Sequence, residues 1–206
     1  MDSLLPEVDE HYFTGAVASA SERRELSVWL GGREVTVEVA GGVFSPGRLD
    51  PGTAVLLKQA PVPEPGFTGN LLDVGCGWGP IAIHLALACP DATIWAVDVS
   101  ERAVDLARRN AERLGLSNIR VGLPNAIPDD VSFDGIWSNP PIRVGKEALH
   151  ALLSRWIPRL APDGEAWLVV AKQLGADSLA RWIGSELARN VTRAATSKGY
   201  RILRVS

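Results

Sequence analysis

The sequence predicts an α/β protein built on a mostly parallel seven-stranded sheet that ends in an antiparallel hairpin. Three observations predict this fold. From residue 70 onward, short apolar and β-branched runs alternate with helix-like segments. The terminal segment 190–206 instead holds two strand-like runs with no helix between them. A composition of 46% hydrophobic and 22% charged residues over 206 positions is sufficient to bury the core of one such domain.

An accessory segment, residues 1–60, is predicted to precede the main domain, residues 61–206. The boundary falls at APVPEPGFTGN, where closely spaced prolines and glycines are incompatible with a continuous helix or strand. Within the accessory segment, LSVWL and EVTVEVA flank Gly31-Gly32, a pattern typical of a two-residue β-hairpin. A helix is then predicted to begin near Asp50, with Asp50 as its cap and Pro51 in its first turn.

The main domain is predicted to alternate strands with helices. The strands lie near 70–74, 92–98, 118–122, 132–138 and 165–171, and the helices near 79–89, 100–114, 145–160 and 175–189. This order is typical of a parallel sheet that is covered on both faces. The terminal segment turns at Lys198-Gly199, which predicts that one strand of its hairpin is inserted into the sheet.

Composition argues against several classes of protein. No apolar run approaches the roughly 18–20 residues of a membrane-spanning helix, and the acidic start MDSLLPEVDE is not typical of a signal peptide. Cys76 and Cys89 form at most one bridge, and the three histidines are widely separated, so the spacing of a metal site is absent. We therefore expect a cytoplasmic protein without a membrane segment or a metal ion.

A glycine-rich segment, DVGCGWG, connects the first strand of the main domain to its helix. Gly75, Gly77 and Gly79 follow the carboxyl end of the strand, where open α/β sheets bind their ligands. The usual dinucleotide spacing G-x-G-x-x-G is absent, and no Gly-Lys-Ser/Thr follows to hold a phosphate. Asp73 would repel a pyrophosphate but attract a cationic amino-acid group. A tight turn without a ligand is the alternative.

Asp98 ends the second strand, in AVDVS. A carboxylate at this point can accept two hydrogen bonds from the ribose hydroxyls of an adenosine, and Val99 can pack against the purine. Capping of the next helix is the alternative role of Asp98, although Ser100 is better placed for it.

Asn139, Pro140 and Pro141 follow the fourth strand, at the same sheet edge as the glycine loop. Because prolines fix the backbone and lack N–H groups, the Asn139 amide oxygen and the Pro140 carbonyl are predicted to accept both hydrogens of one planar NH2 group. Such contacts favour a pyramidal nitrogen and align it for methyl transfer without a strong base. A rigid turn without chemistry is the alternative.

Together, DVGCGWG, AVDVS and NPP resemble class I S-adenosylmethionine-dependent methyltransferases, which have a Rossmann-like fold. The resemblance implies S-adenosyl-L-methionine as cofactor. Its methionine part would lie on the glycine loop, its ribose on Asp98 and its adenine amino group on Asn125, although Asn125 also suits a plain turn. The implied cofactor-binding residues are Asp73, Gly75, Cys76, Gly77, Gly79, Asp98, Val99 and Asn125.

The Asn-Pro-Pro motif is similar to that of enzymes that methylate amino groups of adenine, guanine or glutamine. The resemblance implies a catalytic segment of Asn139, Pro140, Pro141 and Ile142. Ile142 departs from the motif, because those enzymes have a Tyr or Phe there that stacks on the target base.

A closer resemblance covers nearly the whole chain, from GGVFSPGRLDPGTAVLL through NPPIRVGKEALH to SKGYRIL. The chain is similar to the small methyltransferase domain of RsmC-like enzymes, which methylate the guanine N2 amino group in small-subunit ribosomal RNA. The resemblance implies ribosomal RNA or the small ribosomal subunit as the partner. A glutamine N-methyltransferase acting on a protein such as a release factor, and a noncatalytic RNA-binding or assembly protein, are the alternatives.

Aromatic and basic side chains near the predicted site are candidates for binding the acceptor. They are Phe44, Arg143, Lys146, Tyr200 and Arg201, with Tyr12 and Phe13 as further aromatics. Residues 140–206 contain 11 basic and 5 acidic side chains, whereas residues 1–139 contain 10 basic and 19 acidic ones. This split suits contact with a phosphate backbone, and core packing and an evenly solvated surface are the alternatives.

Overall fold

The computed structural model of this protein describes residues 16–206, apart from the side chain of Arg143. The candidate aromatics Tyr12 and Phe13 lie outside the described residues.

The accessory segment contains the predicted hairpin and helix. Strands β1 (Arg23–Leu30) and β2 (Arg33–Ala40) pair in an antiparallel manner around Gly31-Gly32. Both glycines have positive φ angles, 55° and 80°, which the mirror-image hairpin turns require. Helix α1 (Pro51–Gln59) is capped as predicted, since the Asp50 carboxylate accepts the backbone N–H of Thr53 at 2.9 Å.

The main sheet has seven strands in the spatial order β5-β4-β3-β6-β7-β9-β8. In chain order they are β3 (Asn70–Val74), β4 (Thr93–Val97), β5 (Ile119–Gly122), β6 (Phe133–Ser138), β7 (Leu160–Ala171), β8 (Val191–Ser197) and β9 (Tyr200–Val205). Strands β3 to β7 run parallel, and β9 is inserted antiparallel between β7 and β8. The predicted fold class is thus confirmed.

Helices cover both faces of this sheet. They are α2 (Pro80–Ala88), α3 (Glu101–Arg113), α4 (Lys146–Trp156) and α5 (Ala176–Glu186). One core cluster joins α4 and α5 to the sheet, and a second joins α1 and α2 to its other face. Helix α4 is shorter than predicted: Pro158 has no N–H to continue it, and the chain forms a 3-10 turn before β7 begins at Leu160.

One buried side chain joins the hairpin to the glycine-rich segment. Asn110 on α3 is fully buried, and its Oδ1 accepts the backbone N–H of Glu38 on β2 at 2.6 Å. Its Nδ2 donates to the carbonyl oxygens of Glu38 and Trp78, each at 2.9 Å. The apolar face of the hairpin, including Val37, packs in the same cluster as Trp78. The accessory segment therefore supports the loop that follows β3.

Within residues 16–206, no helix is long and apolar enough to cross a membrane. In the same range, no group of three or more His, Cys, Asp or Glu side chains is arranged to hold a metal ion. The division of the chain at residue 60 and the cytoplasmic location stay predictions.

We expect Asn110→Ala to lower the free energy of unfolding by about 2–4 kcal/mol, because it leaves part-buried backbone groups of Glu38 and the buried carbonyl of Trp78 without their partner. Urea unfolding followed by circular dichroism measures this change. Asn190→Ala removes an exposed side chain of the same type and is the control. Equal midpoints for the two variants would contradict the role given to Asn110.

Candidate active site

The loop after β3 is held against the end of β4 by its backbone. The N–H groups of Gly75 and Cys76 both donate to the carbonyl of Val97, at 2.8 and 3.0 Å. Gly75 and Gly77 have φ angles of 74° and 56°, which favour glycine. A Cβ added at Gly75 would meet no atom within 4 Å, so the missing side chain leaves the loop backbone open to a ligand.

Gly79 ends the glycine loop and begins α2. It is the N-cap of this helix with a φ angle of 93°, which favours glycine, and a Cβ placed there would lie 3.4 Å from the Cβ of Ala107 on α3. Gly79 is buried, and its contact with the cofactor stays a prediction.

Asp73 lies buried beneath the loop. Its Oδ2 accepts the backbone N–H of Ala82 at 3.0 Å, whereas its Oδ1, also buried, has no partner among the residues that the structure describes. Burial, and secondarily the charge of Asp98, raises the pKa of Asp73 to about 8. Near neutral pH the carboxyl group is thus largely protonated, and a cationic ligand group close to Oδ1 would favour its ionised form.

Asp98 links the loop to the end of β4. Its Oδ2 accepts the N–H of Gly77 and its Oδ1 accepts the N–H of Ser100, each at 3.0 Å. Burial raises the pKa of Asp98. A carboxylate has about four acceptor sites, so hydroxyl donors can still bind. Beside it, Val99 is 52% exposed, and Leu123, just after β5, is 37% exposed, which leaves two apolar side chains at the ends of adjacent strands.

Asn125 already has a protein partner. Its Oδ1 accepts a hydrogen bond from Arg155 at 3.0 Å, and Arg155 also donates to the carbonyl of Pro124 at 2.8 Å. A second lone pair of this oxygen is left for the predicted contact with an adenine amino group, which stays a prediction.

The pairing of β3 with β6 places Asn139 beside the glycine loop. Val74 and Ser138 are register partners, and the Ser138 hydroxyl donates to the carbonyl of Val74 at 2.7 Å. The next residues, Gly75 and Asn139, consequently lie at neighbouring strand ends. A single pocket includes both of them, and Gly77, Phe44, Asp50 and Thr53 contribute to its wall.

Asp50 and Thr53 are pocket residues that the sequence analysis did not assign to the site. The Asn139 side-chain Nδ2 donates to Asp50 Oδ2 at 2.9 Å and to Thr53 Oγ1 at 3.0 Å. In the sequence Asp50 is typical of a helix cap, and nothing local connects it to a residue 89 positions away.

The Pro140 carbonyl is not free of competing donors, contrary to the prediction. It accepts the backbone N–H of Ile142 at 2.8 Å, and Pro141, with φ −75° and ψ 71°, has the geometry of an inverse γ-turn. The prediction overlooked that Ile142 restores an N–H just after the two prolines. One lone pair of this carbonyl remains for another donor.

The Ile142 side chain is partly buried and packs against the core cluster of α4 and α5. It therefore contributes to packing, and its place in the catalytic segment stays a prediction.

The candidate acceptor residues fall into different environments. Phe44 is 51% exposed and lines the pocket. Lys146 is exposed at the start of α4, whereas the half-buried Tyr200 ring packs against Gly52, next to Asp50. The Arg201 side chain is 11% exposed and forms an ion pair with Asp177 on α5, so its predicted contact with the acceptor would compete with Asp177 and stays a prediction.

The alternation of side chains along β9 explains why Tyr200 and Arg201 lie in different environments. Tyr200 packs with the cluster that contains α1, and Arg201, one residue later, points to the opposite face of the sheet. Arg143 lies in a 3-10 turn, Ile142–Val144, after the two prolines.

Cys76 contributes its backbone to the loop. Its side chain is 2% exposed, and burial raises the pKa of its thiol well above the usual value. The thiol is thus protonated and unsuited to nucleophilic chemistry.

The sequence of this chain is similar to those of known proteins. The chain is 36% identical over 200 residues to the uncharacterized protein YbxB of Bacillus subtilis, covering 96% of this chain and 98% of that protein. It is 30% identical over 190 residues to the ribosomal RNA small subunit methyltransferase C of Alcanivorax borkumensis, covering 89% of this chain and 57% of that protein.

Among solved structures, the fold is similar to that of the T. thermophilus 16S rRNA N2 G1207 methyltransferase RsmC in complex with AdoMet and guanosine. The TM-score is 0.77 at 24% identity, covering 89% of this chain and 50% of that one. The chain thus spans about half the length of the ribosomal RNA methyltransferases described here.

The model of one protein family, described as the methyltransferase small domain, matches residues 34–204. The match begins in β2 of the accessory segment and reaches β9, so it includes the glycine loop, Asp98 and Asn139. The resemblance to RsmC-like enzymes that the motifs indicated is confirmed, and the chain belongs to the methyltransferase small domain family.

Proposed function

We propose that this protein is an S-adenosylmethionine-dependent N-methyltransferase that modifies the exocyclic amino group of a guanine in small-subunit ribosomal RNA. One observation carries the proposal: the glycine loop and the Asn139 amide line the same pocket. Relatives named as ribosomal RNA methyltransferases support RNA as the substrate class. The guanosine in the similar RsmC structure supports guanine as the base.

S-adenosylmethionine is the cofactor of the family, and the residues present fit it. The open backbone at Gly75 suits the methionine part, and the remaining acceptor sites of Asp98 suit ribose hydroxyls. Val99 and Leu123 offer apolar surface for a purine. The Oδ1 of Asp73, which lacks a partner among residues 16–206, suits a nearby ammonium group. When bound, the cofactor supplies an electrophilic methyl group on a positively charged sulfur.

Asn139 and Pro140 hold the acceptor nitrogen in this proposal. The Asn139 Oδ1 and the second lone pair of the Pro140 carbonyl accept the two hydrogens of the guanine amino group. These contacts draw the nitrogen out of conjugation with the ring and fix its direction of attack. Because the acceptors are held in place beforehand, the site lowers the barrier without a strongly basic side chain.

Phe44 supplies the aromatic contact that Ile142 does not. It is the exposed aromatic on the pocket wall, on the accessory segment rather than after the prolines. An exposed phenyl ring beside the amino-binding groups suits stacking on a base that is turned out of its RNA helix.

The proposed function is tested with ribosomal subunits from a strain that lacks the gene. Purified protein and methyl-tritiated S-adenosylmethionine are added, and the label is followed into RNA and protein fractions. We expect label in 16S ribosomal RNA, released on digestion as N2-methylguanosine. Label confined to protein would favour the glutamine alternative, and no label in either fraction would favour a noncatalytic assembly protein.

We expect Phe44→Ala to lower kcat/KM for RNA about tenfold, since stacking of one base on an aromatic ring contributes roughly 1–3 kcal/mol. Steady-state methyl transfer to ribosomal subunits measures the change. Trp29→Ala, which removes an aromatic that is 68% exposed on the hairpin, is the matched control. Equal kcat/KM values for the two variants would exclude Phe44 from base binding.

We expect Asp73→Asn to stabilise the cofactor-free protein increasingly as the pH rises. The native pKa of about 8 lies above the unfolded value near 4, so the stability of the unsubstituted protein falls as pH increases through that range. Asparagine keeps an acceptor for Ala82 and does not titrate. The difference in Tm between the two proteins should therefore grow from about pH 4 to about pH 9.

Differential scanning fluorimetry across this range measures the effect. Asp91→Asn replaces an exposed carboxylate and serves as the control. Parallel Tm curves for Asp73→Asn and the unsubstituted protein would contradict the raised pKa of Asp73.

A further inference from the structure

The side chain of Asn139, which follows β6, is held by the accessory segment. The two acceptors of its NH2 group are Asp50 Oδ2 at 2.9 Å and Thr53 Oγ1 at 3.0 Å, on the N-cap and in the first turn of α1. Thr53 is 3% exposed, so the contact is shielded from water at that residue. Helix α1 is itself fixed, because Val55 and Leu56 are buried in the core cluster on that face of the sheet.

These contacts determine which end of the amide faces the pocket. The Asp50 carboxylate has no hydrogen to give when ionised, so the group that Asn139 presents to it is the NH2. The same Asp50 oxygen accepts the backbone N–H of Thr53 at 2.9 Å, which restrains the carboxylate. With both Nδ2 hydrogens engaged, the Oδ1 of Asn139 is left as the acceptor, and among the described residues no donor contacts it.

The orientation matters because the two ends of an amide have opposite hydrogen-bonding character. An Asn139 that presents Oδ1 accepts a hydrogen from an amino group. An amide rotated by half a turn would present an NH2 group to another NH2 group, which gives repulsion and no acceptor.

We propose that Asp50 and Thr53 are positioning residues that hold the Asn139 amide with its oxygen toward the methyl-accepting amino group. They act through Asn139 and do not themselves touch the acceptor. The inference rests on the proposed function, in which this oxygen binds an amino group. It explains why an accessory helix that precedes the glycine loop in the chain forms part of the pocket wall.

The test uses variants of the full chain that remove the contacts and keep the helix. Asp50→Ser retains a good N-cap residue but is too short to reach Asn139. Thr53→Val keeps the shape and removes the acceptor, and Thr53→Ser restores a hydroxyl. We expect kcat of the Asp50→Ser/Thr53→Val protein to fall about tenfold, while its Kd for S-adenosylmethionine, measured by calorimetry, stays unchanged. The Thr53→Ser protein should keep the kcat of the unsubstituted protein.

A double-mutant cycle separates positioning from direct contact with the acceptor. In an Asn139→Ala background, Asp50→Ser should cause no further loss of kcat on 30S subunits. A further loss of similar size would mean that Asp50 contacts the acceptor itself, which overturns the inference. Unchanged kcat for Asp50→Ser/Thr53→Val in the otherwise unsubstituted chain would overturn it as well.

A second measurement needs no substrate. In ¹⁵N-labelled protein, the side-chain NH2 signals of Asn139, identified by their loss in Asn139→Ala, should exchange with solvent more slowly than those of the exposed Asn190. This protection should disappear in Asp50→Ser/Thr53→Val. Equal exchange rates for the Asn139 and Asn190 side chains in the unsubstituted protein would overturn the inference. A lack of methyl transfer to 30S subunits by the unsubstituted protein would count only against the proposed function.

Discussion

The parallel pairing of β3 with β6 is the constraint on which the site depends. Their register sets Val74 opposite Ser138, so the loop that begins at Gly75 and the turn that begins at Asn139 leave the sheet side by side. The Ser138 hydroxyl ties the two strands at that point. Without this adjacency, a glycine loop and an amide would be two unrelated turns, 64 residues apart in the chain.

Much of this arrangement follows from local sequence patterns. Alternating apolar runs and helix-like segments predict the sheet. Asp50-Pro51 predicts the start of a helix and Gly31-Gly32 predicts a hairpin turn, because caps and turns depend only on nearby residues. The edge of the sheet that carries the site is also predictable, because ligands of open α/β sheets bind at the carboxyl ends of the parallel strands. The helix and strand limits are less predictable, as the end of α4 before Pro158 illustrates.

Side-chain partners that lie far away in the chain could not be predicted from the sequence. Asp50 was predicted as a cap and also binds Asn139. Arg201 was predicted to contact substrate, but it pairs with Asp177 because its position in β9 places it on the α5 face. Asn125 was assigned to a ligand, and its oxygen accepts from Arg155. Such pairings depend on the packing of separate elements, which no short motif records.

The contacts between the accessory segment and the main domain limit which foreign segment could replace residues 1–60 of this chain. The backbone of Glu38 binds Asn110, and the side chains of Asp50 and Thr53 bind Asn139. Polar groups of the main domain therefore have their hydrogen-bond partners in the accessory segment. A chimera joined near residue 60 would fold well only if both sides of these pairs came from compatible parents. Transplanting the turn at Asn139 alone would separate its amide from Asp50 and Thr53, which accept its hydrogen bonds.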